Sequence, residues 1–159
     1  MPPTPPSLNS NQFAQTAVRG QLDLQISKSG VIAGFVSPNQ VGPIVAGDPV
    51  KLDPALTTQG MPMFLSAAPT DDALGVMIFN EKAATVDPAV NPNDPIEVAL
   101  LAGPVIFEVA ETTILAQQAV ESNADGNMQP LGAGKQRGIA LDPAVAGQLF
   151  RMIITNPVS

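Results

Sequence analysis

The chain has 159 residues, a length that suits one domain with its own hydrophobic core. It contains no His, Cys, Trp or Tyr, and 14 acidic residues against 7 basic ones leave a net charge of −7. Without His or Cys, the commonest general base, the thiol nucleophile and most transition-metal ligands are missing. A net negative charge disfavours binding to the phosphate backbone of nucleic acids. We therefore expect no enzyme, no cofactor, no metal site and no nucleic-acid partner.

The N-terminus has neither the basic region nor the apolar region of a secretory signal. The longest apolar runs, such as residues 98–101, are too short to span a bilayer. We expect a protein that is made in a cytoplasm and has no membrane partner.

Residues 1–20 differ in composition from the remainder of the chain. Four of the first six positions are proline, followed by Ser, Asn and Gln, which favours extended polyproline II backbone. After Met1, the large apolar side chains of this segment are Leu8, Phe13 and Val18. Two interpretations remain open, a disordered tail or an arm that becomes ordered on a partner with Phe13 as its anchor. Residues 21–159 are predicted to form a single β-rich body.

From residue 21 onward the pattern is typical of short strands separated by turns. Leu22, Leu24 and Ile26 alternate with polar residues, as in a half-buried strand. The Asp125-Gly126 pair, between two short apolar runs, predicts a hairpin. With 13 glycines and 17 prolines, the chain favours an all-β barrel or sandwich. Further strands are predicted over residues 31–36, 49–52, 63–65, 74–79, 96–101, 105–109, 118–122, 128–131, 137–141 and 149–155.

Internal similarity predicts a repeat. Residues 44–50 match residues 114–120 at an offset of 70, and since the first copy contains Gly and Pro, we predict that both form a loop leading into a strand rather than a helix. Residues 74–77 match 137–140 at an offset of 63, and residues 100–105 match 153–158 at an offset of 53. We interpret residues 44–105 and 114–158 as two similar halves of one closed β structure, with chance similarity as the alternative.

The carboxylates are the only candidates for acid–base or metal chemistry. Asp71 and Asp72 lie in a predicted loop, and Glu108 and Glu111 flank a predicted strand end. No calcium-loop spacing and no sign of paired catalytic carboxylates occurs, so no catalytic or metal-binding residue is assigned. Five aspartates precede proline, where the side chain caps a turn, namely Asp48, Asp53, Asp87, Asp94 and Asp142.

Two further segments have a simple structural interpretation. Residues 132–137, Gly-Ala-Gly-Lys-Gln-Arg, depart from the phosphate-loop pattern and predict a mobile turn whose basic residues could pair with a partner. Met61 and Met63, on either side of Pro62, are predicted to lie in the core, with a flexible contact surface at an interface as the alternative.

The loop motifs carry a resemblance to a known family. Ile-Val-Ala-Gly-Asp-Pro-Val-Lys-Leu (44–52), Leu-Gly-Val-Met (74–77), Ile-Leu-Ala-Gln-Gln-Ala-Val (114–120) and Gly-Ile-Ala-Leu (138–141) resemble those of the cement, or head-decoration, proteins of tailed bacteriophages. The resemblance covers roughly residues 30–155. Gln117-Gln118 depart from the Gly-Asp of the first loop, so the second turn need not be built in the same way.

This resemblance implies a β-barrel or β-tulip-like body that forms homotrimers on the outer capsid surface of the virion and clamps neighbouring major capsid proteins. An N-terminal arm commonly reaches across the shell in this family, and here it would contact the capsid through Pro2, Pro3, Pro5, Pro6, Leu8, Phe13, Val18 and Arg19. Other classes remain open, namely a tail or baseplate accessory, a receptor- or glycan-binding domain, and an enzyme with an all-carboxylate site.

Overall fold

The computed structural model describes residues 19–22, 30–56, 61–78, 89–100 and 103–155. These residues form short strands and a single turn of 3-10 helix, so the predicted all-β class is confirmed. None of their helical segments is long and apolar enough to cross a membrane. In chain order the elements are β1 (Val31–Val36), β2 (Ile44–Val45), β3 (Pro49–Leu52), η1 (Pro54–Leu56), β4 (Met63–Ser66), β5 (Gly75–Met77), β6 (Ala89–Val90), β7 (Pro95–Leu100), β8 (Val105–Val109), β9 (Ala119–Ser122), β10 (Met128–Pro130), β11 (Gln136–Ala140) and β12 (Leu149–Ile154).

The first half of the chain forms a closed barrel in the order β1-β4-β3-β5-β7. The pair β1–β4 is parallel, as the Val36–Phe64 register shows, and the other pairs are antiparallel. Closure leaves no unpaired strand edge, which removes a template for aggregation. The interior is filled by buried apolar side chains, namely Val36, Ile44, Val50, Phe64, Met77, Ile96 and Val98.

The second half forms a sheet in the order β10-β9-β11-β12-β8. A parallel bridge between Ala110, directly after β8, and Met128 of β10 joins the two edges of this sheet, so it also curls into a barrel. Its core includes Val76, Ile78 and Ala99 from the first half, packed with residues such as Phe150. The two barrels therefore share apolar side chains across their junction.

The hydrogen-bond registers of the two barrels correspond strand by strand. The β3–β4 pair Lys51–Leu65 corresponds to the β9–β10 pair Glu121–Gln129, and β1–β7 corresponds to β8–β12. Gly75 pairs with Leu100 as Gly138 pairs with Ile154, an offset of 54 where the sequence comparison has 53. Consecutive apolar residues make such a one-residue shift invisible in sequence. The second set of strands begins at β8, residue 105, where the sequence comparison ends its first copy.

Four of the described turns combine one hydrogen-bond pattern with a positive φ at the third residue, namely residues 45–48, 91–94, 115–118 and 145–148. In each, the N–H of the fourth residue donates to the first carbonyl, and the side-chain oxygen of the fourth residue accepts the first N–H. The third residue has a positive φ, even where it is Gln117 at 67°. The loop-then-strand prediction for residues 114–120 is thus confirmed, and the side chain of Gln118 replaces that of Asp48.

Most predicted strands are confirmed to within two residues, and β1, β3 and β8 have the predicted bounds. The Asp125-Gly126 hairpin connects β9 to β10 as predicted. Of the predicted strand at residues 21–26, only a bridge from Leu22 to Ile106 is described, and residues 23–29 lie outside the described residues. The core prediction is wrong for Met61, which precedes β4 and is 48% exposed, and Met63 is half-buried at the start of β4.

Candidate functional site

Arg19 joins three parts of the fold at one point. Its Nε donates to Oε2 of Glu108 at 3.0 Å, and its Nη2 donates to Oδ1 of Asp48 at 3.0 Å. The same Nη2 donates to the carbonyl oxygen of Gly126 at 2.6 Å. Asp48 belongs to the first barrel, whereas Glu108 and Gly126 belong to the second. We call these four residues the junction cluster.

Glu108 is the buried carboxyl group of the junction cluster. As predicted, Glu108 and Glu111 flank a strand end, since β8 ends at Val109; Glu108 is fully buried, and its Oε1 has no hydrogen-bond partner among the described residues. Burial raises the pKa of Glu108 to about 8, although the Arg19 guanidinium opposes the shift. Burial also disfavours the charged form of Arg19, but Glu108 and Asp48 outweigh it, so the pKa of Arg19 is raised.

Glycine makes room for this cluster. Gly47 has a φ of 96°, and a Cβ at this position would lie 2.5 Å from Nε of Arg19 and 2.8 Å from Oε2 of Glu108. A Cβ on Gly126 would collide with Oδ1 of Asp48. Larger residues at either position would displace the guanidinium from its partners.

The chain reaches the junction cluster along β8. The N–H of Gly20 donates to the carbonyl of Phe107 at 2.7 Å, and the N–H of Phe107 donates to the carbonyl of Gln21 at 2.9 Å. Leu22 packs against the core that the two barrels share. Arg19 and Gly20, which the sequence analysis assigns to the arm, therefore lie on the body.

An open cleft of about 510 Å³ lies between the first barrel and the β9–β10 hairpin. Its wall combines apolar residues such as Val41, which is 94% exposed, with the carboxylates of Asp48, Asp71 and Asp125, and no Lys or Arg among the described residues lines it. Such a surface suits an apolar or basic protein segment and disfavours a phosphate. Asp48 also connects the cleft with the junction cluster.

A fully buried arginine holds the barrels together beside this cleft. Arg137 of β11 donates from Nη1 to the carbonyl of Asp71 at 3.0 Å and from Nη2 to the carbonyl of Ala68 at 2.8 Å. Both acceptors lie in the β4–β5 loop of the first barrel. Burial lowers the pKa of Arg137. The predicted partner-binding role of Arg137 is thus replaced by a contact within the chain.

The glycine loop before β11 also binds an anion, but that anion is a side chain of the same protein. The N–H groups of Gly132 and Gly134 donate to Oε2 of Glu121 at 2.8 and 2.6 Å, and Gln129 donates to Oε1 at 2.8 Å. Burial opposes ionisation of Glu121, but these donors outweigh it and lower its pKa. Because Glu121 occupies these donors, the loop offers no open phosphate site.

The other candidate carboxylates each have a local role. Asp71 accepts from Nζ of Lys51 at 2.7 Å, a contact that lowers its pKa, and Asp72 pairs with Lys135 at 3.2 Å. Glu111 accepts from Asn127. No group of three or more acidic side chains within the described ranges is placed to hold a metal ion.

The predicted turn-capping role is confirmed for Asp48, Asp53 and Asp94, each of which accepts a backbone N–H within three residues. Asp142 instead accepts the backbone N–H and the guanidinium of Arg151 on β12. Asp87 lies outside the described residues.

Of the predicted capsid-binding residues, only Arg19 lies within the described part of the chain. The remaining seven, Pro2, Pro3, Pro5, Pro6, Leu8, Phe13 and Val18, lie outside it. The pairing of Arg19 with Glu108 was not predicted from the sequence. The available signal was a single acidic residue inside the apolar run Val-Ile-Phe-Glu-Val, since a buried carboxylate needs a partner.

Comparison with known proteins gives a likeness of fold. No protein-family model matches this chain, and no curated protein matches it in sequence. Among solved structures, the N base of head fiber gp8.5 of bacteriophage phi29 matches with a TM-score of 0.52 and 17% sequence identity. The match covers 81% of this chain and 98% of the phi29 chain. At this identity the comparison establishes a shared β fold.

Proposed function

We propose that this protein is a structural component of a bacteriophage virion. In this proposal it binds the outer surface of the icosahedral capsid and stabilises it by bridging neighbouring major capsid proteins. The observation that carries the proposal is the likeness of fold to a head fiber base of a phage, which extends over nearly all of that chain. The loops that resemble cement proteins in sequence, at residues 44–52 and 114–120, also form matching turns that lead into strands.

The N-terminal segment supplies the capsid contact in this proposal. Residues 1–18 precede Arg19, whose three hydrogen bonds fix the start of the body. A proline-rich segment loses less conformational entropy on binding than a flexible one, and an added strand gains backbone hydrogen bonds whatever its side chains. The contact residues are Pro2, Pro3, Pro5, Pro6, Leu8, Phe13 and Val18, while Arg19 acts from the body.

The partners in this proposal are the major capsid protein and further copies of this chain in a homotrimer. The net charge of −7 supports a place outside the shell, because it opposes contact with packaged DNA. The protein would be synthesised in the cytoplasm of the host bacterium and act on the assembled head.

Occupancy on purified, expanded capsids tests the proposal. Cryo-electron microscopy should show the full-length protein on the outer surface, and a variant lacking residues 1–18 should show strongly reduced density while circular dichroism remains that of a folded β protein. Phe13→Ala should reduce occupancy, with Asn9→Ala as the matched control in the same segment. Absence of the full-length protein from the capsid exterior would overturn the proposed function. Equal occupancy of the shortened variant would remove the segment from the mechanism.

A further inference from the structure

The described chain begins at the edge of the cleft. Arg19, its first residue, donates from Nη2 to Oδ1 of Asp48 and to the carbonyl oxygen of Gly126, and both of these residues line the cleft. The backbone of the next residue lies there as well, because a Cβ on Gly20 would lie 2.7 Å from the backbone nitrogen of Gly47. The segment that precedes Arg19 is therefore joined to the body beside the cleft.

The wall of the cleft is open and largely apolar. Val41 is 94% exposed, and Pro43, Ala68 and Ala124 are exposed as well. The volume of about 510 Å³ lies within the range of roughly 300–1,000 Å³ that is typical of binding pockets. A concave surface of this size and composition is suited to a large apolar side chain together with the backbone on either side of it.

Charge distinguishes between the occupants that such a wall would accept. Two of the three carboxylates are already paired, Asp48 with Arg19 and Asp71 with Lys51. Asp125 is the lining carboxylate without an ion pair among the described residues, so a strongly basic segment finds little charge to neutralise. An acidic segment would be repelled by Asp125. The cleft therefore favours an uncharged segment with a large apolar side chain.

Residues 1–18 have this chemistry. They contain no ionisable side chain, and their large apolar side chains after Met1 are Leu8, Phe13 and Val18. Phe13 precedes Arg19 by six positions, which corresponds to at most about 20 Å of extended chain. This length is sufficient to reach across the cleft, because the partners of Arg19 are themselves part of its wall.

A covalent connection favours this segment over a separate partner. Two groups joined by a short stretch of chain meet at an effective concentration of about 1 mM. A contact with a Kd of about 0.1 mM as a separate peptide would then be occupied about ten to one within the chain. A weak apolar contact is therefore sufficient to fill the cleft.

We propose that residues 8–18 dock into the cleft of their own chain, with Phe13 packed against the apolar wall around Val41. In the proposed function the same side chains contact the capsid, so docking would keep them covered until the protein meets the head. Only this consequence rests on the proposed function. The docking itself is measured on the free protein, so its failure is distinguishable from failure of capsid binding.

Disulfide formation in the full chain tests the proposal. The chain has no cysteine, so any disulfide joins the thiols that are introduced. Ala14→Cys, which retains Phe13, is combined either with Ala124→Cys in the cleft wall or with Asn127→Cys, which lies on the same hairpin outside that wall. Under mild oxidation the pair 14–124 should close within one chain at least about tenfold faster than the pair 14–127, as for the burial of one large apolar side chain.

The role of the anchor is tested in the same two variants. Phe13→Ser should abolish the preference for the pair 14–124, whereas Gln12→Ser, at the neighbouring position, should leave it intact. In the chain without cysteines, Phe13→Ser should shift the methyl resonances of Val41 in nuclear magnetic resonance spectra, and Gln12→Ser should not. The methyl resonances of Leu115, which is 62% exposed on the second barrel, should remain in place in both variants.

Four outcomes would overturn the proposal. The first is equal rates of closure for the pairs 14–124 and 14–127. The second is a preference that survives Phe13→Ser, and the third is a set of Val41 resonances that does not respond to this substitution. The fourth is a disulfide-linked dimer in place of a closed monomer, which would assign the cleft to the segment of a neighbouring copy. Loss of capsid occupancy on Phe13→Ala without any preference in closure would contradict the docking and leave the proposed function in place.

Discussion

Arg19 donates a hydrogen bond of 2.6 Å to the carbonyl oxygen of Gly126, 107 positions further along the chain. The same guanidinium is paired with Glu108 and Asp48, so one side chain connects the start of the body with both barrels. The stability of the body and the position from which the N-terminal segment departs are therefore coupled through this residue.

Replacing Arg19 should destabilise the protein more than breaking an exposed ion pair. Arg19→Met leaves the fully buried Glu108 without its hydrogen-bond donor, and a buried polar group without a partner costs about 1–3 kcal/mol. Lys135→Met breaks the exposed Lys135–Asp72 pair and should cost less than about 1 kcal/mol. Urea unfolding followed by circular dichroism measures both. Similar losses for the two variants would contradict a structural role for the junction cluster.

The titration of Glu108 should be visible in the pH dependence of stability. Its folded-state pKa is about 8, raised from an ordinary value of 4.5, so between these values the folded state holds a proton that the unfolded state has lost. The free energy of unfolding should therefore fall as pH rises from about 4.5 to about 8. Glu108→Gln should flatten this dependence, whereas Glu111→Gln, at an exposed position, should leave it unchanged.

Acid should destabilise the protein through a different set of groups. The pKa values of Asp53, Asp71 and Glu121 are lowered by their hydrogen-bond donors, so their stabilising contribution is present above about pH 4 and is lost as pH falls further. Chemical denaturation at intervals from roughly pH 3 to pH 9 separates this loss of stability at low pH from the fall in stability that Glu108 causes at higher pH. A Glu108→Gln curve that still falls between pH 5 and pH 8 (roughly) would contradict the assignment.

Arg137 should stabilise the contact between the barrels through its geometry rather than its charge alone. Arg137→Leu removes the donors to the carbonyls of Ala68 and Asp71, and the loss of these part-buried hydrogen bonds should cost about 1–3 kcal/mol. Arg137→Lys keeps the charge but lacks the planar fork that reaches both carbonyls, so it should be destabilised as well. Thermal unfolding measures this, and full stability of Arg137→Lys would show that charge suffices.

Alanine substitutions at two equivalent turn glycines, Gly47 and Gly147, should distinguish the cost of the positive φ from the cost of a steric clash with the junction cluster. Gly47 and Gly147 occupy the same turn position with φ values of 96° and 82°, but only Gly47 lies against Arg19, whereas a Cβ on Gly147 would meet nothing within 4 Å. Gly147→Ala should cost about 1–2 kcal/mol from the backbone conformation. Gly47→Ala should cost clearly more, because its Cβ displaces the junction cluster. Equal losses in denaturant unfolding would mean that the cluster adjusts without penalty.

Much of the secondary structure could be predicted from local pattern. The strands β1, β3 and β8 were readable because apolar, β-branched residues form short runs between turn residues. The strands β2 and β6 span two residues each and carry no periodic signal. The similarity of residues 44–50 and 114–120 was also visible, but the matching turns at residues 91–94 and 145–148 share hydrogen bonds rather than residue types.

Little of the candidate site could be predicted from the sequence. The partners of Arg19 are Asp48, Glu108 and Gly126, which belong to separate elements, so no local pattern around Arg19 indicates its contacts. The apolar residue Met61 was assigned to the core, yet it is 48% exposed. Apolar character alone does not tell a core residue from a surface residue, because roughly half of a folded protein's accessible surface is apolar.

The sequence by itself determined the β class, the positions of most strands and the scarcity of catalytic side chains, since these depend on residue types and on contacts between near neighbours. Only the tertiary structure decided that Arg19 belongs to the body and forms hydrogen bonds to both halves of it. Only the tertiary structure also placed a fully buried Glu108 at the centre of their junction. These features arise from the closure of two barrels, which brings together residues far apart in the chain, and no local pattern encodes which distant partner a buried charge will find.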